Sequence, residues 1–126
     1  QGEIHEVWLS PDGEFQSRYV TRLPSGYTPA TGSSATMAYT NGSVVFPAFK
    51  DDAPRILRLR LKNAAIDEWA LDIADGESFV GWSALATGNG TVCVGNTRSN
   101  GEVSSYSLDC ACLGGGFATI DRGSAP

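Results

Sequence analysis

Leu57, Leu59 and Leu61 alternate with Arg58, Arg60 and Lys62. In an extended strand this sends three apolar side chains to one face and three cations to the other. Such a stripe is suited to gripping a carboxylate, a sulfate or an acidic sugar, because guanidinium forks hold oxyanions bidentately. The same pattern also serves a solvated edge strand, where charge discourages edge-to-edge aggregation, with Asp51, Asp52 or Glu68 as counter-ions. Trp8, Trp69 and Trp82, with Tyr19, Tyr27, Tyr39 and Tyr106, supply rings on which the C–H face of a pyranose can stack. Most of these rings are expected in the core, and Trp8 and Trp82 stand out because they lie beside turns. Glu6, Trp8, Arg58, Arg60 and Trp82 are therefore the candidate ligand-binding residues. The carboxylate and guanidinium groups would fix hydroxyl or acidic groups above the indole rings.

Catalytic chemistry finds no comparable support. His5 is the single histidine and is followed by Glu6, but neighbours on a strand point to opposite faces and cannot share a proton directly. Ser10, Ser25 and Ser83 lack the Gly-x-Ser-x-Gly elbow of a hydrolase nucleophile. Asp51-Asp52 and Asp67-Glu68 neither support nor exclude hydrolysis, since glycosidase carboxylates can lie anywhere in a chain. Leu113-Gly114-Gly115-Gly116-Phe117 shares only its composition with a phosphate loop, and reads as a turn. Cys93, Cys110 and Cys112 form an odd set that allows at most one internal disulfide. Cys110 and Cys112 would share one face of a strand, yet a zinc site usually takes four ligands, so buried thiols or one disulfide are expected and no metal or cofactor.

The elements that must position these side chains are announced by turns. Asn-Gly, which tolerates the positive φ of a type I′ hairpin, occurs at 41–42, 89–90 and 100–101. Ala35–Tyr39 and Val44–Phe46 flank the first, and Ser83–Ala86 and Val92–Val94 flank the second, 48 residues on. The third turn extends the latter strands into a meander through Val103–Leu108. The same step carries Trp69-Ala70 onto Phe117-Ala118, and a step of 47 carries Leu59 and Leu61 onto Tyr106 and Leu108. Ile4–Leu9, with Pro11-Asp12-Gly13 and Phe15, reads as the last two strands of another copy. The chain thus divides into a half unit over 1–26 and whole units over 27–75 and 76–122. One stretch competes with this scheme. Asn63 to Gly76 is rich in helix formers, with an Asn at its start and a Gly at its end. Trp69, Leu71 and Ile73 also alternate as in a strand, and the repeat favours the strand.

Four short strands every 40 to 50 residues is the pattern of a β-propeller blade. Gly2-Glu3-Ile4-His5-Glu6-Val7-Trp8 with Asp12-Gly13 resembles the repeat of six-bladed fungal and bacterial fucose-type lectins. Tyr106-Ser107-Leu108-Asp109 before Phe117 is similar to the kelch repeat. Those lectins carry an arginine on the second strand and a glutamate on the third. Glu6 matches the glutamate, whereas Val45 and Cys93 stand where the arginine belongs, and Pro47-Ala48 and Gly95-Asn96 replace the kelch double glycine. The expected fold is all-β, with about two and a half antiparallel four-strand units resembling propeller blades. A β-sandwich with duplicated hairpins is the alternative, and a helix over 63–76 would make it α+β.

Composition bounds the function. One domain is expected from 126 residues. A net charge of −5 disfavours nucleic acid, and no apolar run reaches the roughly 18 residues of a membrane span. Only Lys50 and Lys62 are lysines among nine basic residues, while Gly, Ser and Thr are abundant, as in secreted or virion-surface β proteins. Gln1 opens the chain with neither a charged nor an apolar leader region. That suits a processed secretory protein or a start within a longer one. Asn41-Gly42-Ser43 and Asn89-Gly90-Thr91 also satisfy the N-glycosylation sequon. The resulting expectation is a non-catalytic binding module for a glycan or glycoprotein, completed by other copies of itself. A structural or receptor-binding module of a virion or other particle, and a fragment of a larger propeller enzyme, are the alternatives.

Overall fold

A computed structural model of the chain describes residues 2–30, 37–71, 73–88, 90–112 and 118–124. Eleven strands and no helix occur among them, so the fold is all-β, and every strand pairing is antiparallel. Strands β1 (Glu3–Leu9) and β2 (Phe15–Arg22) form a two-stranded hairpin. A central sheet holds β3 (Tyr27–Pro29), β4 (Ala38–Thr40), β5 (Ser43–Lys50), β6 (Ala53–Arg60) and β7 (Ile66–Ala70). In it β5 pairs β3 and β4 along one edge and β6 along the other, and β6 pairs β7. The last sheet is a meander of β8 (Ser78–Gly88), β9 (Thr91–Ser99), β10 (Ser104–Cys112) and β11 (Ala118–Ser124).

Turn chemistry explains the connections. Asn41 and Gly42 take φ of 47° and 74°, the double positive φ of a type I′ hairpin. The β5–β6 turn achieves the same with Asp51 and Asp52, at 49° and 69°, because a short polar side chain tolerates the left-handed region. Asn100 works differently: its side-chain oxygen accepts from Glu102 N (3.0 Å) and Val103 N (2.8 Å), holding a longer turn. Between Asn63 and Gly76 the chain is a strand over Ile66–Ala70, introduced by an Asn63 turn in which Ala65 N donates to Oδ1 at 3.0 Å. The capping Asn thus serves a turn, and the helical alternative is absent from the described residues. Asn89, Leu113–Gly116 and Phe117 lie outside those residues.

The layers stack with the central sheet in the middle. Ile4, Val20 and Leu23 from the hairpin end pack on Phe46, Ala48, Leu57 and Leu59. On the opposite face Val45 and Ile56 meet Trp82, Val92 and Val94 of the last sheet. A sheet covered on both faces needs apolar residues in continuous runs, as in Val44-Val45-Phe46. Burying this surface is the main stabilising term, at roughly 25 cal/mol for each Å² of apolar area removed from water.

The repeat is real in register but not uniform in length. Ala38 pairs Val45 as Ala86 pairs Cys93, each partner 48 residues on. Arg58 pairs Val45 as Cys110 pairs Cys93, so the step from 58 to 110 is 52. The extra residues come from the longer Asn100 turn and longer strands. The step of 47 that aligned Leu59 and Leu61 with Tyr106 and Leu108 is therefore replaced: Leu59 faces the hairpin, whereas Tyr106 and Leu108 are exposed on the outer face of the last sheet. An odd offset always reverses faces. Likewise Ala118 pairs Cys110 as Asp67 pairs Arg58, so Ala118 corresponds to Asp67 and not to Ala70.

Candidate functional site

Directly opposed residues of an antiparallel pair share a face. On the hairpin, Glu6 opposes Arg18 and Trp8 opposes Gln16. All four side chains therefore stand on the face that Ile4 uses to reach the core, but further along, where the hairpin runs on towards its turn. Arg18 donates to Glu6 Oε1 from Nε (3.1 Å) and Nη2 (2.9 Å). Both bonds land on one oxygen, which leaves Oε2 without a hydrogen bond from Arg18. Trp8 is 45% exposed. An indole face beside a carboxylate, a guanidinium and a carboxamide combines a stacking platform with donors and acceptors for hydroxyl groups. Glu6 and Trp8 were legible as candidates in the sequence. Arg18 and Gln16 were not, because their contribution depends on the hairpin register, which the Pro11-Asp12-Gly13 turn could have indicated.

The opposite face carries a second charged group. His5 Nε2 and Glu3 Oε1 are 3.0 Å apart, Arg22 Nη2 pairs with Glu3 Oε2, and the His5 ring meets Tyr19 edge-on at 5.7 Å. The His5 hydrogen bond, with help from Arg22, holds the Glu3 carboxyl below its usual range. His5 and Glu6 thus point apart, as strand geometry requires, and form no dyad.

Arg58 and Arg60 are placed differently from the expected solvated edge. Strand β6 is internal, flanked by β5 and β7. Both guanidiniums converge on Asp67 Oδ2, Arg58 at 2.6 and 3.0 Å and Arg60 at 3.0 and 3.2 Å. Their partner is therefore Asp67, and not Asp51, Asp52 or Glu68. Arg58 is only 14% exposed and sits over the Trp69 ring at 5.6 Å. The two arginines, Arg58 first, hold the Asp67 carboxyl low. Trp82 is 6% exposed and packs among Phe49 and Phe79 between the sheets. The structure thus brings Glu6 and Trp8 together and leaves Arg58, Arg60 and Trp82 in a separate region.

Three further features went unread. Glu68 accepts from Tyr27 OH (2.7 Å) and Lys50 Nζ (3.3 Å), which lowers its own pKa and raises those of Tyr27 and Lys50. On the inner face of the last sheet, Asp109 Oδ2 receives Asn96 Nδ2 (2.7 Å) and Arg98 Nη2 (3.0 Å), with Ser107 Oγ at 3.2 Å from Oδ1. All four residues are at most 2% exposed, so this network is internal scaffolding. On the outer face Cys93 and Cys110 form a cross-strand disulfide, while Cys112 is a free, exposed thiol. No cluster of three or more metal-ligating side chains occurs among the described residues, and no helix among them is long and apolar enough to cross a membrane.

Comparison with known proteins assigns no family. No protein-family model, no curated protein and no solved structure matches this chain.

Proposed function

We propose that this chain is a non-catalytic, glycan-binding module, and that its three layers are propeller-type blades completed by other chains stacked on the open outer faces. The observation that carries the binding site is the single face shared by Trp8, Glu6, Arg18 and Gln16. A sugar ring stacked on Trp8 would accept from Arg18 and Gln16 and donate a hydroxyl to the open Glu6 oxygen. The layer order supports the blade reading, since a five-strand sheet that contains the β4–β7 meander and then a four-strand meander follow a two-strand hairpin, and neighbours pack face to face. Large apolar side chains on both outer faces, including Val7, Leu9 and Phe15 on one and Val80, Tyr106 and Leu108 on the other, favour association. The Cys93–Cys110 disulfide fits a secreted or particle-surface location.

A glycan array followed by titration calorimetry tests this reading. Saturable binding is expected, with a loss of tenfold or more in Trp8→Ala, since a stacking ring contributes at least the roughly 1.4 kcal/mol that a factor of ten represents. Trp8 is half-exposed, so its removal leaves the core intact. Absence of binding across the array, or unchanged affinity in Trp8→Ala, would overturn the assignment.

A further inference from the structure

Strands β6 and β10 are each paired on both sides, β6 by β5 and β7, β10 by β9 and β11. Strand β1 stands in the same place in its layer: Ile4 packs towards the central sheet as Ile56 packs towards the last one. Yet among the described residues β1 pairs with β2 alone. Its other edge presents a row of backbone N–H and C=O groups at which a further strand can add.

What lies beside that edge is shaped for a strand. Two cavities of about 240 and 220 Å³ share Ile4, His5 and Met37 in their walls. Their floor is the face of the central sheet that passes beneath the missing strand position: Tyr39 and Val44 in one, Phe46 in the other. Tyr39 and Met37 are 66% and 58% exposed, large apolar surfaces that a covering strand would bury. Backbone donors and acceptors along one wall and an apolar floor define an extended ligand with apolar side chains at every second position.

We infer that the open edge of β1 and the Met37–Tyr39–Val44 floor form an acceptor groove for an extended polypeptide segment of alternating apolar residues, supplied by another protein. A second folded copy is a poor occupant. Two β1 edges paired about a two-fold axis normal to the sheet would bring the partner's own β3–β5 strands onto those that floor the groove. A single extended segment meets no such obstacle. The chain itself shows what the groove selects, since β9 covers the corresponding edge of β10 with Val92 and Val94 directed at the sheet below.

The groove adjoins the glycan patch at Glu6, which lines the larger cavity, but its occupant and its test are separate. Its test uses a synthetic peptide copying Thr91–Ser99 with Cys93→Ser, Asn96→Val and Arg98→Val, so that every second residue is apolar, added to the intact protein and followed by amide hydrogen exchange. Exchange at alternate amides of Ile4–Leu9 should slow tenfold or more at saturation. Tyr39→Asp should weaken binding at least tenfold, and its exposed position keeps the fold intact. The same peptide methylated on alternate backbone nitrogens should not bind. Unchanged exchange in β1, or equal binding of the methylated peptide, would overturn the inference. So would protection of β1 that appears without peptide and grows with protein concentration, the signature of a second copy. A negative glycan array leaves all of these readouts untouched, so the two readings fail separately.

Discussion

Two carboxylates decide how single residues respond to perturbation. Asp67 is held low by Arg58 and Arg60, and a depressed carboxyl adds stability above its unfolded value, near about 4, and loses it as pH falls through the folded value. The urea midpoint should therefore fall on the acid side of pH 4, and Asp67→Asn should flatten that limb. Asp67 is 38% exposed, so solvent screening keeps the cost of Asp67→Asn near neutral pH to about 1 kcal/mol. Asp109 behaves otherwise. Both it and Arg98 are removed from water, and deleting one member of a buried ion pair strands the other, at a cost of about 3–5 kcal/mol. Asp109→Ala should show that loss in chemical denaturation, and a cost below about 1 kcal/mol would mean the network contributes little. The sequence displayed Arg58 and Arg60 clearly but could not say where they pointed. Their partner Asp67 lies across a strand pairing, and the nearby acids along the chain were equally eligible. Asp109 was invisible as a buried acid, because nothing local marks which face of β10 turns inward.

At the scale of elements, most of the fold was legible. Asn-Gly turns predicted the hairpins at 41–42 and 89–90, alternation predicted β6, and the repeat placed β1 and favoured a strand between Asn63 and Gly76, found over Ile66–Ala70. What escaped was the arithmetic between elements. The Asp51-Asp52 turn adopts a conformation usually given to Asn-Gly, and the longer Asn100 turn, with the longer strands beside it, changes the repeat step from 48 to 52, an even step that restores the faces on β10 that the odd step of 47 had reversed. The disulfide also belongs to this scale. Cys93 and Cys110 are directly opposed on neighbouring strands, 17 residues apart in sequence, so closing that loop should stabilise the sheet by about 3 kcal/mol. Cys93→Ser, or reduction before denaturation, should lower the midpoint accordingly, and an unchanged midpoint would show that the β9–β10 ladder holds without it.

For the molecule as a whole, the ordering of layers predicts the ordering of stability. Val45, Ile56, Leu57 and Leu59 are fully buried, and among the described residues only the central sheet is packed on both sides by its own chain. Amides of β5 and β6 should be the last to exchange, with the hairpin opening earlier, because local stability follows buried apolar contact. Ile56→Ala should cost about 2–5 kcal/mol, as for other large-to-small changes in packed cores. Repetition creates a hazard here, since similar strands can dock in one another's places while the chain folds. The ion pairs answer it by their sign. In the hairpin the acid is on β1 and the base on β2, Glu6 with Arg18; in the central sheet the base is on β6 and the acid on β7, Arg58 with Asp67. A β1 strand that strayed to β7 would set Glu6 against Asp67, and a β6 strand that strayed to β2 would set Arg58 against Arg18. Like charges directly opposed destabilise a strand pair, so the alternating polarity works as an address, sending each strand to its own neighbour and rejecting its near-copy.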